Sequence, residues 1–241
     1  MVFESLFKEF KHIVVFDIRM AGLIPKESPV VEMAACRFTM VNGKIVNDVN
    51  CETVVKLSSK NTIDQEVMKK YGISKEKLDA GIDEKEAVEN MYNVLCRPST
   101  LLVSYGNPEF IFLADVMNRY KKAAFINDCR TGLLDIRTVL RDRGQNVSLS
   151  KAIEAYGLGS KYNLSNQEGI CSGDKCKALA TLLLRLHNER DDLYRYQNWF
   201  GYDTEKAPAW KLNVVSYVHQ SVSNVMVPEN GILPLRFIAG L

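Results

Sequence analysis

The stretch Val15-Phe16-Asp17-Ile18-Arg19-Met20-Ala21-Gly22-Leu23 decides how this chain is read. An apolar run that begins at His12 ends on Asp17. A buried strand closing on a carboxylate puts an acid at a sheet edge, where such groups often hold a metal ion. Side chains repeat every two residues along a strand, so a strand-end acid site needs its second carboxylate two positions on. That position holds Arg19.

Residues 12–18, 30–38 and 44–55 are apolar or alternating runs, and Asn42-Gly43 between the last two is a tight hairpin signal. Residues 62–71 and 83–95 carry helical periodicity, the second with acidic residues early. Residues 101–105 predict a short strand, and a helix follows Pro108 as far as residue 120. Residues 133–143, 148–156 and 173–189 complete a helical series, with Ser148 placed to cap its helix. Three early strands, then helices around one more strand, predict an α/β fold with a mixed sheet and flanking helices. Beyond residue 194 the character changes. Trp199, Phe200, Tyr202 and Trp210 lie among Gly and Pro, followed by strand-like runs at 212–218 and 232–238. The expected division is a domain of residues 1–190 and a C-terminal extension, residues 191–241, packed on the core or on a partner.

The 241 residues are 46% hydrophobic and 25% charged, an ordinary globular balance. A net charge of +2 gives no global polyelectrolyte signal for nucleic acid. No apolar run reaches the roughly 18 residues of a membrane helix. The N-terminus lacks the pattern of an export signal. Six scattered cysteines show no CxxC spacing, and no histidine near Cys171 and Cys176 completes a zinc set. These features predict a cytoplasmic protein with reduced thiols and no membrane partner.

Several segments together resemble the DEDD (DnaQ-like) 3′–5′ exonuclease superfamily, typified by the proofreading epsilon subunit of bacterial DNA polymerase III. The family's first segment reads F-D-x-E-T-T-G-L, a proline-containing loop, then a strand like I-I-E-I-G-A-V; this chain has FDIRMAGLIPKESPVVEMAACRF. A helical segment ending in T/Y-G-I-S/T is matched by VMKKYGISKEKL, and H-N-A-x-F-D-x-x-F-L by SYGNPEFIFL. LLDIRTVL, VSLSKAIEAYGL and GICSGDKCKAL stand for the third region, which ends in H-x-A-x-x-D-A. The resemblance runs from about residue 11 to residue 188 and implies a ribonuclease-H-like exonuclease fold.

It also implies two-metal phosphodiester hydrolysis, in which four carboxylates hold two Mg²⁺ or Mn²⁺ ions about 3.5–4 Å apart and a His or Tyr serves as general base. Carried over by residue, Asp17 matches the first metal-binding Asp and Asp174 the last, so these two are the expected metal ligands. Glu109 stands for the second-segment Asp, and Tyr105 and Asn107 are the implied nucleic-acid contacts. Arg19 stands where the family has Glu. Gly169 stands where the histidine branch has its base, and no histidine lies between His12 and His187. A guanidinium beside the metal position repels a dication and offers a salt bridge to Asp17 or Asp174. Structural readings stand beside these: Asp17 as a turn cap, Arg19 as a solvent-facing residue with Glu27 or Glu32 approaching the site instead, Glu32 as a hydrogen-bonded strand residue, Glu109 as a first-turn helix residue, Tyr105 as a core side chain, and Lys175 and Lys177 as solvated helix residues.

Two functional readings remain open. In one, the remnant set Asp17, Glu109 and Asp174 serves no efficient hydrolysis, no cofactor is needed, and the protein binds single-stranded 3′ ends or a protein partner. In the other, it is an active Mg²⁺- or Mn²⁺-dependent 3′–5′ exonuclease on single-stranded DNA or RNA with a rearranged site. Docking of a partner, or self-association, falls to the C-terminal extension.

Overall fold

The computed structural model describes residues 7, 10–22, 24, 27–58, 63–122, 132–142, 144–145, 148–159, 162 and 171–189. The extension 191–241 and Gly169 lie outside the described residues.

Strand β1 (His12–Met20) is the middle of a five-stranded sheet ordered β3-β2-β1-β4-β5. It pairs antiparallel with β2 (Val30–Val41) and parallel with β4 (Thr100–Ser104). Strand β3 (Lys44–Val54) runs antiparallel to β2 at one edge, and β5 (Gly132–Asp135) runs parallel to β4 at the other. The sheet is therefore mixed, as the pattern of runs predicts. Asn42 and Gly43 close the β2–β3 hairpin, both with positive φ (50° and 73°). A two-residue turn of this type matches the twist of its flanking strands, and Asn-Gly tolerates its left-handed backbone.

Both faces of β1 are buried, which explains its nearly unbroken apolar run. Val14, Phe16 and Ile18 belong to one core, which also takes in α3 (Glu84–Leu95) and α4 (Asn107–Arg119). Phe16 meets Phe110 edge to face, with ring centroids 5.3 Å apart. Ile13 and Val15 point to the opposite core, built with α5 (Ile136–Asp142), α6 (Leu149–Ala155) and α7 (Ser172–Glu189). Two short helices, α1 (Gln65–Tyr71) and α2 (Lys75–Asp79), and the turn between them cover Val31, near the start of β2, with Ile73 and Leu78. Asp83 caps α3 through Lys85 N–H (2.8 Å), and Ser148 caps α6 through Lys151 N–H (3.4 Å).

One element differs from expectation. Residues 133–143 read as a single helix, but the chain is a strand to Asp135 and a helix only afterwards. Asp135 makes the break. Its carboxylate accepts from Arg137 N–H and from the Thr138 hydroxyl, capping α5 where a continuous helix would have run through. The short helix α2, which periodicity does not announce, is capped by Ser74 through Lys77 N–H (3.2 Å).

Candidate active site

Alternation along β1 settles where its charges go. Asp17 and Arg19 share the face of Ile13 and Val15, which is the side of α7. Arg19 lies opposite Glu32 in the β1–β2 register, and Asp17 lies opposite Ala34. The Arg19 Nη1 to Glu32 Oε2 distance is 3.0 Å, and both side chains are buried. Arg19 Nε stands 3.6 Å from Asp17 Oδ2, an ionic contact longer than a hydrogen bond. The guanidinium also donates from Nη1 to the Tyr71 carbonyl (3.2 Å) and lies 5.0 Å from the Tyr71 ring centroid. Tyr71 is held in turn by its hydroxyl, which donates to the Met20 carbonyl (3.0 Å). The tyrosine of the YGIS segment thus frames the arginine of the first segment.

Helix α7 closes the site with its first turn. Ser172 donates from Oγ to Asp17 Oδ2 (2.6 Å) and from its amide to Glu32 Oε2 (3.0 Å). Lys175, one turn on, places Nζ 3.5 Å from Asp17 Oδ1. A further carboxylate, Glu52 of β3, lies against Gly173 so closely that a β-carbon there would overlap it. A helix N-terminus favours carboxylates, because its free N–H groups and dipole present positive charge. Burial raises the Glu32 carboxyl above its usual range, and Arg19 and the Ser172 bonds pull it back.

Asp174 does not join Asp17. The side chains of Ser172 and Cys176 turn into the sheet, and a residue two positions after Ser172 lies on the opposite side of a helix. Asp174 is exposed and pairs with Lys177 at 3.2 Å. The salt bridge offered by Arg19 therefore goes to Asp17 and Glu32. Lys175, read as a solvated residue, instead reaches Asp17.

Glu109 sits in the first turn of α4, after Gly106, whose φ of 123° belongs to glycine's region. A β-carbon at Gly106 would come within 3.2 Å of Glu109 Oε2. That oxygen is shut off from solvent and has no hydrogen-bond partner among the described residues. Burial, reinforced by the Asp17 charge, pushes the Glu109 carboxyl up to about 8, against an opposing pull from Lys175. At neutral pH Glu109 is mainly a neutral acid. Tyr105 packs against the α7-side core, and burial raises its hydroxyl well above its ordinary value. Asn107 is the first residue of α4.

Asp135 was not among the sequence candidates. It is buried at the end of β5 and accepts from Gly106 N–H (2.9 Å), Arg137 N–H (2.9 Å) and Thr138 Oγ1 (2.8 Å). It ties the β4–α4 turn to the start of α5; burial raises its carboxyl above the usual carboxylate range, and these bonds pull it part of the way back. Only its place after two leucines, at the end of an apolar run, could have signalled it.

The donor set does not fit a pair of divalent ions. Mg²⁺ needs several free carboxylate oxygens in a near-octahedral arrangement. Both Asp17 oxygens face cations or a hydroxyl of the protein, and Glu32 Oε2 takes a guanidinium and an amide. Among the described residues no group of three or more His, Cys, Asp or Glu could hold a metal ion. Asp17 and Glu32 are met by two cations, Arg19 and Lys175, while Glu52 stands against Gly173 and Glu109 is mainly neutral.

The family model described as Exonuclease (RNase_T) matches residues 14–162. No curated protein matches the chain significantly. Among solved structures, exonuclease I of E. coli in complex with a dA16 oligonucleotide aligns over 84% of this chain and 45% of its own, with 15% identity and a TM-score of 0.64. Exonuclease I in a product-bound form gives 78% and 46% coverage, 13% identity and a TM-score of 0.62. Cell-death related nuclease 4 (CRN-4) gives 75% and 65% coverage, 17% identity and a TM-score of 0.59. The chain thus spans less than half the length of exonuclease I, and at these identities the likeness is one of fold. Among the described residues no helix is long and apolar enough to cross a membrane.

Proposed function

The chain belongs to the exonuclease (RNase_T) family, within the DEDD 3′–5′ exonuclease superfamily, and from that premise we propose that it binds single-stranded nucleic-acid 3′ ends without efficient metal-dependent hydrolysis. One observation carries the reading: the oxygens of Asp17, the first metal-binding acid of the family pattern, are engaged by Arg19, Lys175 and Ser172. Two-metal hydrolysis needs those oxygens to hold the ions that activate water and neutralise the scissile phosphate. Here the same charge is neutralised by side chains that cannot activate water. The family fold and the oligonucleotide held by exonuclease I support a nucleic-acid ligand. Tyr105 and Asn107, at the β4–α4 junction beside Glu109, are the contacts we assign to it.

Labelled single-stranded DNA and RNA, incubated with Mg²⁺ or Mn²⁺, test this directly. Hydrolysis should stay below about 1% of a family member with an intact site, since losing an acid ligand and a base costs orders of magnitude. Binding should be measurable and should weaken with salt. The Asp174→Ala variant should fold within about 0.5 kcal/mol of wild type, since its side chain is exposed. Metal-dependent hydrolysis that this substitution abolishes would instead establish an active exonuclease with a rearranged site. Absence of both hydrolysis and binding would overturn the reading in favour of a protein-docking role for the C-terminal extension.

A further inference from the structure

We infer that Lys175 is the second member of a cation pair which, with Arg19, fills the charge positions of a two-metal site, so that a divalent ion can enter only once both are removed. This rests on the metal-free reading above and is independent of nucleic-acid binding. The family pattern draws the eye to Arg19, because it replaces an acid. Arg19 does not act alone. Asp17 presents Oδ2 to Arg19 at 3.6 Å and Oδ1 to Lys175 at 3.5 Å, so each oxygen has its own cation. Glu32 takes Arg19 Nη1 at 3.0 Å on the oxygen that also receives the Ser172 amide.

Lys175 is placed by the rest of α7. Ser172 fixes the helix start with two bonds, one to each acid. Residues three apart are neighbours on one helix face, so Lys175 follows Ser172 toward Asp17. Cys176, buried beneath them, donates to the Ala34 carbonyl (3.5 Å) and keeps the first turn against β2. Restoring an acid at position 19 would therefore still leave Asp17 facing an ammonium. Removing Lys175 alone would leave Asp17 and Glu32 facing a guanidinium. In either case a dication entering the site must displace a positive charge already there.

Thermal melting of four full-length proteins, in EDTA and in about 1 mM Mn²⁺, separates the possibilities. Wild type, Arg19→Glu and Lys175→Ala should each shift by less than about 1 °C on adding the ion, whereas Arg19→Glu/Lys175→Ala should rise by about 5 °C or more. If clustered acids leave the double variant unfolded in EDTA, it should recover its near-ultraviolet circular dichroism on adding Mn²⁺. A double variant that neither shifts nor refolds with Mn²⁺, beside an inert wild type, overturns this inference alone. A shift already present in Arg19→Glu also overturns it, because Lys175 would then be no barrier. A shift in wild type would overturn the metal-free reading itself.

Discussion

Replacing Arg19 by methionine should cost the fold about 3–5 kcal/mol, the largest loss expected of any substitution in the site. The arginine is buried, and its partners Asp17 and Glu32 are buried with it. Methionine can fill the space of the side-chain stem, so the loss measures charge more than packing. Without the guanidinium, Glu32 keeps its Ser172 bonds and Asp17 keeps Ser172 and Lys175. Neither can move to water. Glu32 is already raised by burial, and Arg19 is the largest influence drawing it down, so removing Arg19 raises it further. An acid with a raised folded-state pKa is penalised once the unfolded chain ionises. The deficit should therefore be small near pH 4 and grow as pH rises to neutral. Urea unfolding of wild type and Arg19→Met across that range checks the magnitude and the sign together. Adding Glu32→Gln to Arg19→Met should recover part of the loss. A pH-independent deficit under 1 kcal/mol would mean that the ion pairs contribute little.

The second large effect runs the other way. Glu109→Gln should stabilise the protein at pH 7, by at most about 3 kcal/mol. Below pH 4.5 the Glu109 carboxyl is protonated in the folded and unfolded chain alike and contributes nothing. Between 4.5 and about 8 the unfolded chain ionises while the folded site keeps its proton, so stability falls as pH rises. Above about 8 both forms are ionised and the loss is complete. Glutamine cannot ionise and keeps nearly the same shape. Its midpoint of thermal unfolding should exceed wild type by several degrees at pH 7–8 and converge with it near pH 4. The same melting points at both pH values would show that Glu109 has found solvent or a cation.

Much of this architecture was legible from residues. The apolar run of β1, the Asn-Gly turn and the Ser148 cap are local signals, because each depends on neighbours within a few positions. Strand β5 was not legible. Leu133, Leu134, Ile136 and Leu140 satisfy a helical period as well as a short buried strand, and only pairing with β4 and capping by Asp135 decide between them. In the site, the oddity of Arg19 was plain from its place two residues after Asp17. Asp17 was legible as an ion-pair partner, but the closer partner, Glu32, was not, since Arg19 meets it across a register set by a long connection rather than a tight turn. The facing of α7 was equally hidden. Asp174 fits the family's spacing, yet Ser172 and Lys175 meet Asp17, because docking of Cys176 and Ser172 fixes the rotation of the helix. Motif spacing names residue types, whereas helix rotation depends on packing along the whole contact.

Isothermal titration of Mn²⁺ into the wild-type full-length protein at neutral pH tests whether Asp17 and Glu32 are already satisfied by the protein's own cations. The expected result is no saturable heat up to about 1 mM ion, as for a site whose charge is balanced before the ion arrives. Two saturable sites with dissociation constants in the micromolar range would contradict it, because they would require Arg19 and Lys175 to stand clear of Asp17.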